Sequence, residues 1–172
     1  MKKLLLLLLL PIFSFGQINT FPWIHDFDNS IGLEQEINDD GDWTVWQGST
    51  YSYNTGPSGD HTTGGSMYYY AESSYPNYPN KTLITYTPTF DVSATPGKVL
   101  SFWYHMYGTE MGDLEIGVLD NNGYTVLDTK SGNYGDQWLF AYYPITSTDS
   151  FKIKFTAVTG DSYKCFIRII WP

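Results

Sequence analysis

Apolar and polar residues alternate along most of this chain with a period of two, which is typical of β-strands that bury one face. Between Leu100 and Tyr107, the even-numbered residues form an apolar face, and Ser101 and His105 lie on the opposite face. Residues 151–156 alternate in the same way, with Lys152, Lys154 and Thr156 at the polar positions. The pattern predicts strands at residues 43–46, 67–72, 82–90, 100–107, 113–118, 124–128, 137–143, 151–156 and 165–170.

Turn-forming residues separate these segments, as in Asp40-Gly41, Pro96-Gly97 and Asn122-Gly123. Many short alternating strands joined by such turns usually form two packed antiparallel sheets. Residues 31–37 have a weak helical pattern, which we interpret as a loop or a single turn. The sequence therefore predicts an all-β fold, a two-sheet antiparallel β-sandwich without internal repeats.

The first sixteen residues have the three parts of a secretory signal peptide. Two lysines give a positive start, an apolar stretch follows, and small residues precede a cleavage site before Gln17. The apolar stretch is about twelve residues long, shorter than the roughly 20 that a membrane-spanning helix requires. We therefore expect residues 1–16 to be removed and residues 17–172 to form one domain, secreted or held at the cell surface without a span of its own.

Composition narrows the class of protein. Aromatic residues make up 18% of the 172 residues and charged residues 16%, whereas disordered chains are poor in aromatics and rich in charge. The net charge is −9 and the sequence has no basic cluster, so we do not expect a nucleic-acid partner. A single cysteine, Cys165, excludes an internal disulfide framework.

Two sequence blocks in the middle of the chain carry a family resemblance. The first is GPSGDHTTG at residues 56–64, which leads into MYYYAE at 67–72. The second is LSFWYHMYG at residues 100–108, followed by MGDLE at 111–115. With shorter blocks on either side, their order resembles that of the MAM domain (meprin, A5, receptor phosphatase mu), over about residues 21 to 163.

The resemblance implies a jelly-roll, concanavalin-like sandwich in an extracellular or cell-surface location. It implies adhesion or recognition, with protein or glycan as the partner and no catalysis by the module itself. An alternative function is that of an accessory domain of a secreted hydrolase, for example a metallopeptidase, whose catalytic part is missing from this chain. Neither the ligand nor the oligomeric state follows from the sequence.

The sequence departs from the family pattern in two places. The disulfide cysteines of animal members are absent, and His25 stands where the first would be, so the core alone must hold the domain together. In the last strand, Phe166, Ile170 and Trp171 stand where the family has acidic residues. The chain stops directly after this strand, as it would if the gene were truncated there.

The resemblance also implies a structural Ca²⁺ site at Asp28 and Asp60. In the family this site draws on an acid of the first strand, the Asp of Gly-Asp-His-Thr and an acid of the last strand, which is missing here. Calcium binds six to eight oxygen ligands, and carboxylates from distant segments can meet at one edge of a sandwich. We therefore predict a weakened or lost cation site. The alternative for Asp60 is local, with its carboxylate accepting backbone hydrogen bonds in a turn.

Two other groups of polar residues have features of catalytic sites. Asp113 and Glu115 share one strand face, as a pair of glycosidase carboxylates can, but their alternation with Leu114 indicates a solvent-facing side. His61 follows Asp60 directly, whereas catalytic triads are assembled from separate segments, and no Gly-x-Ser-x-Gly elbow is present. We expect no catalytic residue in this chain, and we expect His105 to pack on the sheet.

The aromatic residues divide by their surroundings. Those that alternate with aliphatic residues are predicted to lie in the core: Phe102, Tyr104, Phe151 and Phe155. Those in stretches rich in Ser, Asn, Pro and Gly are predicted to be accessible: Tyr51, Tyr53, Tyr75 and Tyr78. Because tyrosine gives rigid contact area at low entropic cost, the accessible group is a candidate binding surface. Packing within turns is the alternative.

Overall fold

The computed structural model describes residues 16–29, 32–161 and 166–170, and every regular element among them is a β-strand. The strands are β1 Glu34–Gln35, β2 Trp43–Gln47, β3 Met67–Glu72, β4 Thr82–Tyr86, β5 Val99–Met106, β6 Asp113–Asp120, β7 Gly123–Ser131, β8 Leu139–Pro144, β9 Lys152–Val158 and β10 Phe166–Ile170. All predicted strands are present, which confirms the all-β prediction. The predicted signal peptide, apart from Gly16, lies outside the described residues.

Two expectations about strand boundaries were wrong. The segment 31–37, interpreted as a loop or single turn, contains β1, which pairs with the end of β4. The segment 82–90, predicted as one strand, is a regular strand only as far as Tyr86. Thr87 still donates its N–H to the carbonyl of Ile153 on β9 at 3.0 Å, and the next bridge to the sheet is at Phe90. Pro88 lies in between, and a proline has no N–H to donate to a strand ladder.

The strands form two five-stranded sheets, and every neighbouring pair of strands is antiparallel. Sheet I has the order β1-β4-β9-β6-β7, and sheet II has the order β2-β3-β10-β5-β8. The inward side chains of both sheets belong to one apolar core. This arrangement is the predicted β-sandwich.

The core residues follow the sequence alternation. Phe102 and Phe155 are fully buried, and their rings meet edge to face with centroids 5.2 Å apart. Tyr104 and Phe151 are also buried, so the predicted core aromatics are confirmed. The buried hydroxyl of Tyr69 has a partner in the core, since it lies 3.2 Å from Thr85 Oγ1.

His25, at the position where the resemblance implies a cysteine, joins an aromatic stack. Its ring stacks on Trp23 at 5.3 Å and meets the edge of Phe27 at 4.5 Å. Phe27 in turn stacks on Tyr69 at 5.0 Å, and Tyr69 stacks on Trp43 at 5.5 Å. Aromatic pairs contribute stability beyond their buried area, so this row ties the segment before β1 to the core without a disulfide.

Candidate functional site

The carboxylate of Asp60 organises the loop between β2 and β3. Oδ2 accepts the backbone N–H groups of Thr62 and Thr63 at 2.8 and 2.9 Å. Oδ1 accepts the Thr63 hydroxyl at 3.0 Å and the N–H of Ser66 at 2.8 Å. Burial raises the pKa of the Asp60 carboxyl, but the hydrogen bonds from Thr63, Ser66 and Thr62 together lower it below its usual 3.8. Asp60 therefore accepts the hydrogen bonds of a turn, which was the local alternative to cation binding.

Asp28 reaches the same turn from the N-terminal segment. Its Oδ1 accepts the backbone N–H of Met67 at 3.2 Å, directly after the Ser66 N–H that Asp60 binds. The two carboxylates therefore converge on successive amides at the start of β3, although Asp28 is exposed and Asp60 is only 5% exposed. The structure thus brings together the two residues that the resemblance paired.

The fit of a cation to this pair depends on free oxygen lone pairs. A carboxylate has about four lone-pair positions, and four donors already occupy those of Asp60. Among the described residues, no group of three or more His, Cys, Asp or Glu side chains is placed to hold a metal ion. Trp171, which replaces one of the family's acids, lies outside the described residues. The Ca²⁺ site stays a prediction, with Asp28 as its more available ligand.

Residues 48–66, here called the covering loop, lie across the outer face of sheet II. Tyr68 donates its hydroxyl hydrogen to the carbonyl of Gly48 at 2.7 Å, and the indole of Trp46 donates to Ser49 at 3.1 Å. Farther along the loop, the indole of Trp138 donates to the carbonyl of Gly59 at 3.3 Å. A β-carbon on Gly59 would overlap the backbone of Gly64, so the loop can close in this way only with glycine at 59.

The outer face of sheet II carries aromatic side chains, and we call this set the aromatic face: Trp46, Tyr68, Tyr70, Trp103, Phe140 and Tyr142. Under the covering loop, Tyr68 and Tyr70 are almost completely buried and form a cluster with Trp46 and Trp138. His61 from the loop stacks on Trp103, with ring centroids 3.6 Å apart and an interplanar angle of 14°. This contact packs His61 of the loop against sheet II, which is a structural role.

The covering loop leaves one edge of the aromatic face open. Phe140 and Tyr142 on the edge strand β8 are 50% and 58% exposed. Phe140 packs against Trp103 at 5.1 Å, so it continues the stack of Trp103 and His61 toward solvent. Sequence analysis predicted this strand but did not single out the two residues. The small Ala141 between them, buried in the core, was the available signal that both face outward.

The predicted accessible tyrosines are confirmed in three of four cases. Tyr51, Tyr53 and Tyr75 are 84–89% exposed, whereas Tyr78 is partly buried and that prediction was wrong. The residue lies beside Pro79 in the connection from β3 to β4, and it takes part in contacts there. Tyr51 and Tyr53 belong to the covering loop, so the exposed tyrosines come from two different loops.

The other candidate residues lie apart from this surface. Glu115 is on the outer face of sheet I and accepts the hydroxyl hydrogen of Tyr124 at 2.8 Å, while Asp113 lies at the start of the same strand. His105 is 1% exposed, and its Nε2 lies 3.1 Å from Asp136 Oδ1, which confirms its predicted packing on the sheet.

Comparison with known proteins bears on what this surface does. The family model for the MAM domain, meprin/A5/mu, matches residues 25–169. The chain belongs to the MAM domain family. Thyroid hormone-induced protein B of Xenopus laevis is 37% identical over 145 residues, which cover 82% of this chain and 21% of that protein. MAM domain-containing glycosylphosphatidylinositol anchor protein 1 of Homo sapiens is 33% identical over 152 residues, covering 81% and 15%.

This MAM chain therefore spans about a fifth or less of the length of the curated relatives it matches. Among solved structures, the K1 cleaved adhesin domain of Lys-gingipain from Porphyromonas gingivalis W83 is similar, with a TM-score of 0.59 over 87% of this chain and 94% of that one. A carbohydrate-binding module of the β-sandwich superfamily has a TM-score of 0.51 over 86% and 60%. At 14% and 10% identity, these two likenesses concern the fold alone.

Within the described ranges, the structure contains no helix that is long and apolar enough to cross a membrane.

Proposed function

We propose that this MAM domain is an extracellular, non-catalytic recognition or adhesion module that binds protein or glycan through the open edge of its aromatic face. The observation that carries the proposal is the exposure of Phe140 and Tyr142 beside the stack of Trp103 and His61. Exposed aromatic residues on a rigid support are the usual anchors of recognition surfaces.

The physical basis is pre-organisation. Sheet II holds the backbone of β8 through its ladder with β5, in which Phe140 pairs with Trp103 and Tyr142 with Ser101. Because the aromatic side chains have few rotatable bonds and sit on a fixed strand, binding through them loses little conformational entropy. Tyr51 packs on Trp46 of β2 at 5.1 Å, at the opposite edge of sheet II, so it does not belong to the proposed surface.

The family supports the location and the role. One relative is a MAM domain-containing glycosylphosphatidylinositol anchor protein, and solved structures of the same fold include an adhesin domain and a carbohydrate-binding module. We carry over from them the class of function, adhesion or recognition at the cell surface or in the medium, and no individual ligand.

A second function is an accessory domain of a larger secreted hydrolase. The small share of each curated relative that this chain matches, 15–21%, supports a module within a longer protein, and the hydrolase part is what the family resemblance implies. The nucleotide sequence beyond codon 172 separates the two. An open reading frame encoding a hydrolase would support the accessory role, and its absence would leave the autonomous module.

The proposal is tested with beads coated with residues 17–172. The coated beads are mixed with one another and applied to a glycan array. We expect saturable binding in at least one of the two assays. Binding in neither assay, by a protein that melts cooperatively, would contradict the proposed function.

A further inference from the structure

A cavity of about 630 Å³ lies at the end of the sandwich where β5 and β9 begin, and none of its lining residues belongs to the aromatic face. Its walls come from the N-terminal segment 21–24, the connection between β4 and β5, and the residues around 145 and 151. Pockets for small organic ligands usually measure roughly 300–1,000 Å³, so this volume suits one such molecule. None of the roles described above uses the cavity.

Aromatic contacts fix one wall. Phe90 is the centre of this wall: Trp23 meets it edge to face at 5.2 Å, Phe21 packs on it at 6.1 Å and Phe151 at 5.6 Å. Phe90 and Phe151 also exchange backbone hydrogen bonds of 2.8 and 3.1 Å. Ile18 pairs with both neighbours of Phe90 through bonds of 2.8 Å, so the N-terminal segment is anchored where it forms the wall.

The charge at this cavity is opposite to that of the chain. The sequence has 18 acidic and 9 basic residues, yet the cavity is lined by one lysine, Lys98, and by no aspartate or glutamate. The nearby Asp91 is occupied as the acceptor of the Ser93 N–H at 3.1 Å. The lining therefore combines an extended apolar surface with a single positive charge.

Lys98 differs from the other lysines that the structure describes. Lys81, Lys130 and Lys152 each pair with a carboxylate, and the ammonium of Lys154 lies over the ring of Tyr124. The Lys98 ammonium contacts the carbonyl of Thr95 at 3.5 Å and has no ion pair within the described ranges. It is a cation with donor capacity to spare, since an ammonium has three N–H groups.

We propose that this cavity binds a small amphipathic carboxylate, with the apolar body of the ligand against Phe21, Trp23 and Phe151 and its carboxylate on Lys98. The size class is that of a medium-chain fatty acid or an aryl-alkanoic acid. Removing the apolar body from water provides the main driving force, and the ammonium selects an anion over a neutral or cationic head group. This site is separate from the proposed recognition surface, and either can fail without the other.

The proposal is tested by isothermal titration of residues 17–172 with three probes: sodium decanoate and decyltrimethylammonium below their micelle concentrations, and 1-decanol below its solubility limit. The three probes share one alkyl chain and differ in the charge of the head group. We expect decanoate to saturate at one site per chain and to bind most tightly. Equal affinity for all three probes, or no saturable binding of decanoate, would overturn the proposal.

Two variants locate the site. Lys98→Met removes the cation and is expected to weaken decanoate binding about tenfold, with decanol binding unchanged, because one charge-assisted contact is lost.

Val99→Glu places a charge of the same sign as decanoate at the cavity and is expected to weaken decanoate binding further. Its matched control is Val126→Glu on β7, since Val99 and Val126 are 45% and 48% exposed. Thermal melts verify that each variant is folded. Equal effects of the two glutamates, or a Lys98→Met variant with unchanged decanoate affinity, would refute the assignment.

Discussion

The outer faces of the two sheets arise from the same sequence alternation, but one is exposed to solvent and the other is covered by a loop. On sheet I, the outward residues meet solvent through polar contacts, such as Tyr124 with Glu115 and Lys154 over the Tyr124 ring. On sheet II, Tyr68 and Tyr70 are covered by the loop of residues 48–66 and have almost no exposed surface. The outer face of sheet I is therefore solvated, whereas the outer face of sheet II forms a second aromatic layer beneath the loop.

This difference explains where a recognition surface can form. Several outward groups of sheet I already contact one another, as Tyr124 contacts Glu115 and Lys154, so a ligand at these residues would have to replace existing contacts. The aromatic layer of sheet II stops at β8, where Phe140 and Tyr142 remain exposed. A partner that covers them would extend the layer at no cost in broken ion pairs.

The largest expected effect is loss of the carboxylate that holds the covering loop. Asp60→Ala leaves the N–H groups of Thr62 and Thr63 without their acceptor and that of Ser66 with Thr63 Oγ1 alone. We expect the free energy of unfolding to fall by about 3 kcal/mol. Urea unfolding measures it. The control is Asp91→Ala, whose carboxylate accepts the Ser93 N–H, with an expected loss of about 1 kcal/mol or less. Equal losses would show that Asp60 has no special role.

Acid should remove the Asp60 contribution. The pKa of this carboxyl is lowered in the folded protein from its usual 3.8, so its stabilisation is fully present above that value and is lost as the pH falls through the lower folded pKa. The difference in unfolding free energy between wild type and Asp60→Asn should therefore be constant near neutral pH and shrink below about pH 3.8. A difference that shrinks already between neutrality and that value would contradict the assigned direction.

A matched pair of tyrosines compares the two faces directly. Tyr68→Phe removes a buried hydroxyl that donates to Gly48 at 2.7 Å, and we expect a loss of about 1 kcal/mol. Tyr124→Phe removes the partly exposed hydroxyl that donates to Glu115, and we expect a change within about 0.5 kcal/mol. If Tyr124 cost as much as Tyr68, the contrast between a covered and a solvated face would be wrong.

The smallest effect is expected from calcium. We propose a weak site at Asp28 and Asp60, because the lone pairs of Asp60 are already occupied. A site half-filled at about 1 mM calcium stabilises by about 0.4 kcal/mol, which is roughly 1–2 °C in the melting temperature. Melts with calcium and with a chelator test this, and Asp28→Asn should abolish the shift. A shift of several degrees would show a full-strength site instead.

The fold could be predicted from the sequence further than the site could. Period-two alternation is a local property, so segments such as β5 and β9 were placed correctly, and burial of Phe102 and Phe155 followed from it. β1 was missed because a strand of two residues is too short to show an alternating pattern. Its pairing with β4 is also a long-range contact, which local sequence does not reveal. The stack of His61 on Trp103 joins residues 42 positions apart in the chain, which no local pattern reveals. The exposure of Phe140 also depends on where the covering loop ends, and that is decided by the tertiary structure.

The most direct test of the central claim compares the edge strands of the two sheets. Phe140→Ser with Tyr142→Ser changes β8, and Tyr124→Ser with Val126→Ser changes β7, whose residues are 37% and 48% exposed. Both double variants are coated on beads and measured in the aggregation and glycan assays after their folding has been verified by melting. The account predicts that the β8 variant loses binding and the β7 variant keeps it. Binding that survives in the β8 variant, or that disappears equally in both, would contradict recognition through the aromatic face.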